Sequence, residues 1–317
     1  MTQALADPLP SDAELLAAPP AARHKPGRWV IAAVAVRLVA MAVRSLLFNP
    51  RFQWDIVRQY LFFPDVMDGL LLTLWLTAAV MVCGYTLGIG IAAMRMSANP
   101  VLSTLAFGYT WLIRSVPPLV QLLFWYELAS LYPNLSLGIP FGPSFVTVQT
   151  AHLFTGLLAA FVGLTLDVAA FSAEIVRGGL LSVDRGQSEA AQSLGISGSR
   201  IFWRIVLPQA MPAIVPASGN MLIGMLKATS IVSVIAVQDL LYSVQLIYNQ
   251  NFLVIPLLLV ATTWYIVLTS LLSVGQYYVE RHYGRGDRRG PGPRLRDIAR
   301  NNLPLFGRTR ADLPGLS

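Results

Sequence analysis

Apolar runs, each about long enough to cross a bilayer, alternate along the chain with short polar or proline-bearing stretches. They predict spans at 68–94, 101–131, 152–176, 211–237 and 254–278, preceded by a further apolar run at 29–48. That first run has a long, acid-containing leader and no small-residue cleavage site after it, so it is expected to stay as an anchor rather than be removed as a signal peptide. Arg37 and Arg44 interrupt it. A central arginine costs roughly 2.5–3.5 kcal/mol on insertion scales, which keeps open a helix lying in the membrane interface. Residues 49–67 read as an external linker with Trp54 and Tyr60 at headgroup level. Small residues stud the next span, where Gly69, Gly84, Gly88 and Gly90 permit close helix contact. The run 101–131 is interrupted by Arg114-Ser115-Val116-Pro117-Pro118, which predicts a bend. Residues 132–150, uncharged and carrying Pro, Gly and Ser, read as an external loop with one half-embedded turn, and 238–252 as a second polar external stretch. Residues 1–28 and 281–317 lack apolar periodicity and predict disordered cytoplasmic tails. The fold class is therefore an all-α polytopic membrane protein.

Composition agrees, because 55% hydrophobic and 12% charged residues over 317 positions lie far from a soluble globular mixture. The net charge of +7 does not form an aromatic-interleaved basic face, so no nucleic acid partner is expected. Its distribution sets the topology instead. With the amino terminus inside, the cytoplasm receives three Lys/Arg before Trp29, Arg95, four between Arg177 and Arg204, and nine after Glu280, against Arg51 and Arg58 outside. Cys83 has no cysteine to pair with in this chain, and His24, His152 and His282 are too scattered for a metal motif or catalytic triad. No enzymatic chemistry, metal or cofactor is expected of this chain.

The longest polar segment between apolar blocks is 184–208, DRGQSEAAQSLGISGSRIFWRIVLP, which the charge count places in the cytosol. Asp184 and Gln187 read as a capping box opening a short helix through Glu189, Ala190, Ala191 and Leu194. Gly195 stops it in a left-handed conformation, Ser197 or Ser199 caps a second helix carrying Ile201, Phe202, Ile205 and Val206, and Pro208 is expected to close that helix. The result is a compact knob that another protein could approach closely.

Glu189-Ala190-Ala191, Gly195, Ile205 and Leu207-Pro208 resemble, at the family's spacing, the EAA signature of the membrane subunits of bacterial ABC importers. The resemblance covers 69–281 and is similar in detail to the polar amino acid (histidine, glutamine and glutamate) permeases, through the runs Ile113 to Leu122, Ala173 to Gly178, Leu207 to Ala210 and Leu226 to Ser230. It implies a type I importer fold with a five-helix core and one extra N-terminal helix, in the bacterial inner membrane. It also implies that the knob docks on separate ATP-binding subunits, that a second permease copy or paralogue completes the pathway, and that an extracytoplasmic solute-binding protein delivers cargo. ATP and Mg would be bound by those ATPases: this chain has only Lys25 and Lys227, neither in a phosphate-binding loop. Departures from the pattern are Ser115-Val116 where the family has Gly-Thr, and Asp167 and Phe171 where it has Asn and Tyr.

Ionisable groups inside spans are expected to face a cavity or a partner. Glu174 and Arg177, three apart, suit a structural ion pair. Asp167 has no local partner and is either a pathway group or the counter-charge of Lys227, which could itself hold a substrate carboxylate. Gln121 suits either an amino acid backbone or a helix contact, Glu127 lies at the external mouth, and Arg114 stands with them as a pathway candidate beside the proline pair. Other small polar cargoes, such as amines or opines, fit the same machine. A secondary transporter without ATPase predicts internal repeats, and no convincing one is found.

Overall fold

The computed structural model describes residues 26–138 and 144–283 in two compact units, divided after Gln53. The expected tails lie outside the described residues, except that helix begins at Pro26 and persists to Tyr283. In the first unit, α1 (Pro26–Phe48) is a helix exposed wherever its side chains are described. A 3-10 turn, Pro50–Phe52, follows it, opened by Asn49, whose side chain accepts from the Arg51 N–H at 3.0 Å.

The second unit holds α2 (Trp54–Tyr60), α3 (Pro64–Arg95), α4 (Pro100–Ser115), α5 (Pro118–Tyr126), α6 (Leu128–Leu131), strands β1 (Asn134–Gly138) and β2 (Ser144–Gln149), α7 (Thr150–Leu153) and α8 (Gly156–Leu181). Then come α9 (Arg185–Ser193), α10 (Gly198–Ile201), α11 (Leu207–Ala228), α12 (Leu240–Asn251) and α13 (Val254–Tyr283). Among the described residues five helices are long and apolar enough to cross a membrane: Val30–Phe48, Pro64–Arg95, Gly156–Leu181, Gly198–Ile235 and Val254–Tyr283. The remaining expected span, 101–131, is not one bent helix. Val116 and Pro117 are extended, and the chain restarts as α5 with Pro118 in its first turn, where a missing N–H costs nothing.

Three further expectations are corrected. The stretch 132–150, expected as a loop with a half-embedded turn, carries the antiparallel β1–β2 hairpin, whose β2 sequence Ser-Phe-Val-Thr-Val-Gln is rich in β-branched residues. The stretch 238–252 is mostly α12, capped by Asp239 and buried through Leu240, Ser243 and Val244. Helix continues through Pro208, because a π-helical turn, Phe202–Val206, shifts the bonding register and puts that proline in the first turn of α11.

The core is built on the seam between α3 and α8. Lipid gives apolar faces no reason to leave it, so helices in a membrane associate through close packing and polar contacts. Gly84 and Gly88 let α8 approach until Ser172 Oγ donates to the Gly84 carbonyl at 3.3 Å. Leu76, Val80, Leu164 and Val168 are fully or almost fully buried beside that seam. At the other end of α3, Gly69 lies against α12, and Thr73 Oγ1 accepts from the Leu240 N–H at 3.0 Å.

A Cβ at Gly88 would lie 1.9 Å from Ser172 Oγ and 2.9 Å from the Ala169 carbonyl, whereas one at Gly90 meets nothing within 4 Å. Gly88→Ala should therefore lower the midpoint of thermal unfolding in detergent, by an overpacking cost of about 1–3 kcal/mol, and Gly90→Ala should not. Equal midpoints for the two variants would contradict the seam.

Candidate functional site

Two regions carry the candidate residues, a knob at one end of α8 and a set of polar groups along α5 and α8. The knob begins where the Asp184 side chain accepts from the Gly186 N–H at 2.8 Å. Asp184 thus caps α9 as expected, but the bond runs to Gly186, and Gln187 meets Asp184 only through the backbone. Gly195 has φ +75°, and the Ile196 N–H closes on the Ala191 carbonyl at 3.2 Å. A side chain would strain that turn. Ala191 is buried beneath it, whereas Glu189, Ala190 and Gly195 are exposed. Ile205 and Leu207 are half-buried and Pro208 is exposed, where the π turn feeds α11. Leu194 and Trp203, 80% and 64% exposed, put large apolar surface on the knob. The sequence signals both as apolar residues inside the most polar segment, and neither was singled out as a contact.

At the same end of α8 an ionic knot ties three helices. Arg177 Nε and Nη2 donate to Glu174 Oε2 at 3.0 and 2.7 Å, and Arg95, in the last turn of α3, lies 3.5 Å from Glu174 Oε1. The Arg95 guanidinium also sits 4.8 Å from the centre of the Phe107 ring on α4. Arg95, read from sequence only as a turn residue, is thus the member that spans between helices. Its signal was a lone charge closing an apolar span.

Gln121 has a definite structural task. Pro117 has no N–H to give the Ile113 carbonyl, and Gln121 Nε2 reaches back to donate to Ile113 and Val116, each at 2.8 Å. The break between α4 and α5 is thereby stapled. Its Oε1 remains buried without a partner. Arg114, exposed at the end of α4, lies over the Phe171 ring of α8 at 5.1 Å. Glu127 is exposed at the C-cap of α5 and accepts from Ser130 Oγ at 2.7 Å.

Asp167 lies in the buried part of α8, 8% exposed, and its Oδ1 has no hydrogen-bond partner among the described residues. Nor does the buried Thr165 Oγ1 two residues away. Lys227, exposed near the end of α11, forms no ion pair with Asp167, so the counter-charge reading is not realised. Tyr109 of α4 donates to the Leu166 carbonyl at 2.8 Å and holds the backbone beside Asp167. Buried polar atoms in folded proteins are nearly always paired. Here three oxygens able to accept, on Gln121, Thr165 and Asp167, belong to two helices that pack together where Gly163 meets Leu122 and Trp125. Thr165 and Asp167, two residues apart, point to nearly opposite sides of α8, so these are separate unpaired acceptors rather than one cradle.

The chain is 44% identical over 287 residues to the "Arginine transport system permease protein ArgU" of Corynebacterium glutamicum, covering 90% of this chain and 86% of that one. The "Probable glutamine ABC transporter permease protein GlnM" of Bacillus subtilis is 32% identical, over 69% of this chain and 93% of its own. A solved structure described as an amino acid ABC transporter with histidines superposes with a TM-score of 0.60 at 32% identity, covering 70% of this chain and 95% of that one. The MetNI methionine ABC transporter, at 19% identity and a TM-score of 0.56, shares the fold over 70% of this chain and 98% of its own. Residues 84–285 match the family described as "Binding-protein-dependent transport system inner membrane component". With the α3–α8 core, the knob and the long apolar helices in place, the chain belongs to that family and has the permease fold of type I ABC importers.

Proposed function

We propose that this chain is the membrane-spanning subunit of an ATP-driven importer of polar amino acids, with a cationic amino acid such as arginine as cargo. The observation that carries the cargo reading is the buried Asp167 carboxylate on α8, whose Oδ1 has no hydrogen-bond partner among the described residues. An ammonium or guanidinium group supplies a donor to that oxygen, and the Asp167 carboxylate offsets the cost of bringing a cation to membrane depth. The arginine permease that is 44% identical supports the same class. Lys227, not engaged by Asp167, is free to meet the substrate carboxylate, while Glu127 stands at the C-cap of α5 and Arg114 over Phe171, one turn from Asp167.

The remainder follows the sequence reading. The knob of α9 and α10 lies in the cytosol with both termini, and docks by Leu194 and the exposed face around Glu189 on an ATP-binding subunit. Two permease chains, identical or paralogous, form the pathway, and a solute-binding protein loads it from outside. ATP and Mg are held by the ATPases, and this chain performs no catalysis. Closure of the ATPases moves the knobs, and α8 and α11, continuous with them, rock the site from outward to inward access. Cargo shifts that equilibrium only through different affinities for the two states.

Uptake of labelled arginine into proteoliposomes holding the permease with its ATPases tests the cargo. Asp167→Asn should raise the apparent KM, since a hydrogen bond to a charged group contributes about 1.5–3 kcal/mol, roughly 10- to 100-fold. Arginine affinity unchanged in Asp167→Asn would remove that residue from the site. Gly195→Val, straining the φ +75° turn, should lower ATP-dependent uptake with little change in KM. Full uptake by a normally assembled Gly195→Val complex would contradict the coupling role.

A further inference from the structure

Two arginines among the described residues lie against aromatic rings, and they are held very differently. Arg95 rests 4.8 Å from the centre of the Phe107 ring and is pinned there by Glu174, 3.5 Å away. Arg114 rests 5.1 Å from the centre of the Phe171 ring, and its guanidinium has no hydrogen bond or ion pair among the described residues. Both partners of this second contact are exposed, Phe171 by 38%. A cation on a ring at an exposed site is weakly held, so another cation can take the place of Arg114 at little cost.

The ring also stands beside the proposed cargo residue. Phe171 follows Asp167 by four positions on α8, so the two side chains share a face, about 6 Å apart along the helix axis. Three positions further along lies Glu174, whose carboxylate interacts with the Arg114 charge. The Arg114 guanidinium thus has a carboxylate to move toward when it leaves the ring. It is the same chemical group as the side chain of arginine, and a planar guanidinium stacks on an aromatic face where a compact, strongly hydrated ammonium does so less well.

Resting on the cargo reading above, we propose that the Phe171 ring is the platform for the cargo guanidinium, and that Arg114 is a resident competitor which the cargo displaces. Arginine has a cationic group at each end. With its α-ammonium donating to Asp167 Oδ1, its side chain spans the helical turn to Phe171. Displacement then exchanges one cation on the ring for another. A neutral amino acid such as glutamine would push Arg114 from the ring and put no cation in its place. The contact therefore selects by adding a cost for the wrong ligand.

Equilibrium binding of labelled arginine and labelled glutamine to the detergent-solubilised complex of permease and ATPases, without a solute-binding protein, tests this. Both residues are exposed, so neither change opens the core. Arg114→Gln should lower the arginine Kd about 3- to 10-fold, the size of one cation–ring contact. In that background Phe171→Leu should raise it again by a similar factor, and Phe171→Tyr, which keeps a π face, should not. With Arg114 present, Phe171→Leu removes the ring from free and bound states alike. The arginine preference should then shrink through tighter glutamine binding rather than weaker arginine binding, a result that a merely structural role for Phe171 does not give. An arginine Kd unchanged or raised in Arg114→Gln would overturn the proposal and leave Asp167 to carry the cargo reading. Failure of the unaltered complex to bind arginine would instead overturn that reading, and this inference with it.

Discussion

The structure depends on how closely α3 and α8 approach at Gly84 and Gly88. Where solvent is as apolar as leucine, burying a leucine stabilises nothing by itself, and contact area must come from backbones brought near one another. The Gly84–Ser172 hydrogen bond and the tight fit of Val168 on Gly84 result from that approach. Because α8 is fixed on α3 along this seam, the ionic knot of Arg95, Glu174 and Arg177 forms at one end of it. Asp167, about two turns from Glu174 along the same helix, is held at a defined depth and forms no ion pair with Lys227.

The proposed cargo residue Asp167 therefore lies on the helix that leads into the proposed coupling knob. The knob follows α8 after the short turn at Asp184, and the π turn and α11 carry it back into the membrane. In the proposed mechanism a movement of the knob would pass to α8, which bears Asp167 and which the Arg95–Glu174 ion pair ties to α3. Gln121 allows the remaining wall to be broken: by supplying the donor that Pro117 lacks, it lets α4 and α5 hold different directions without an orphaned Ile113 carbonyl. Its Oε1 is buried and has no hydrogen-bond partner among the described residues.

Much of this was legible in the sequence because membrane helices need long apolar runs, and a left-handed turn after a short amphipathic helix selects glycine. The knob, its Asp184 cap, the Gly195 turn, the Glu174–Arg177 pair and the break at Pro117 were each readable from local spacing. What escaped depended on register or on distant residues. Nothing local announces a π turn, so Pro208 looked like a terminus. Arg95 acquires its role only when α3 lies beside α8, and Gln121 only when its side chain folds back over five and eight residues to two carbonyls. The polar character of 238–252 concealed a buried helix because its polar groups, Asp239 and Ser243 among them, are satisfied or packed against α3 and α13.

The central claim is that the α9–α10 knob lies in the cytosol and is moved by a separate ATPase. Leu194→Cys in a Cys83→Ser background puts one thiol at its most exposed apolar position. In intact cells it should resist a membrane-impermeant maleimide added outside and, in inverted vesicles, crosslink to the ATPase subunit with a yield that changes on adding ATP. Labelling of that cysteine from outside, or an ATPase that never crosslinks to it, would contradict the account.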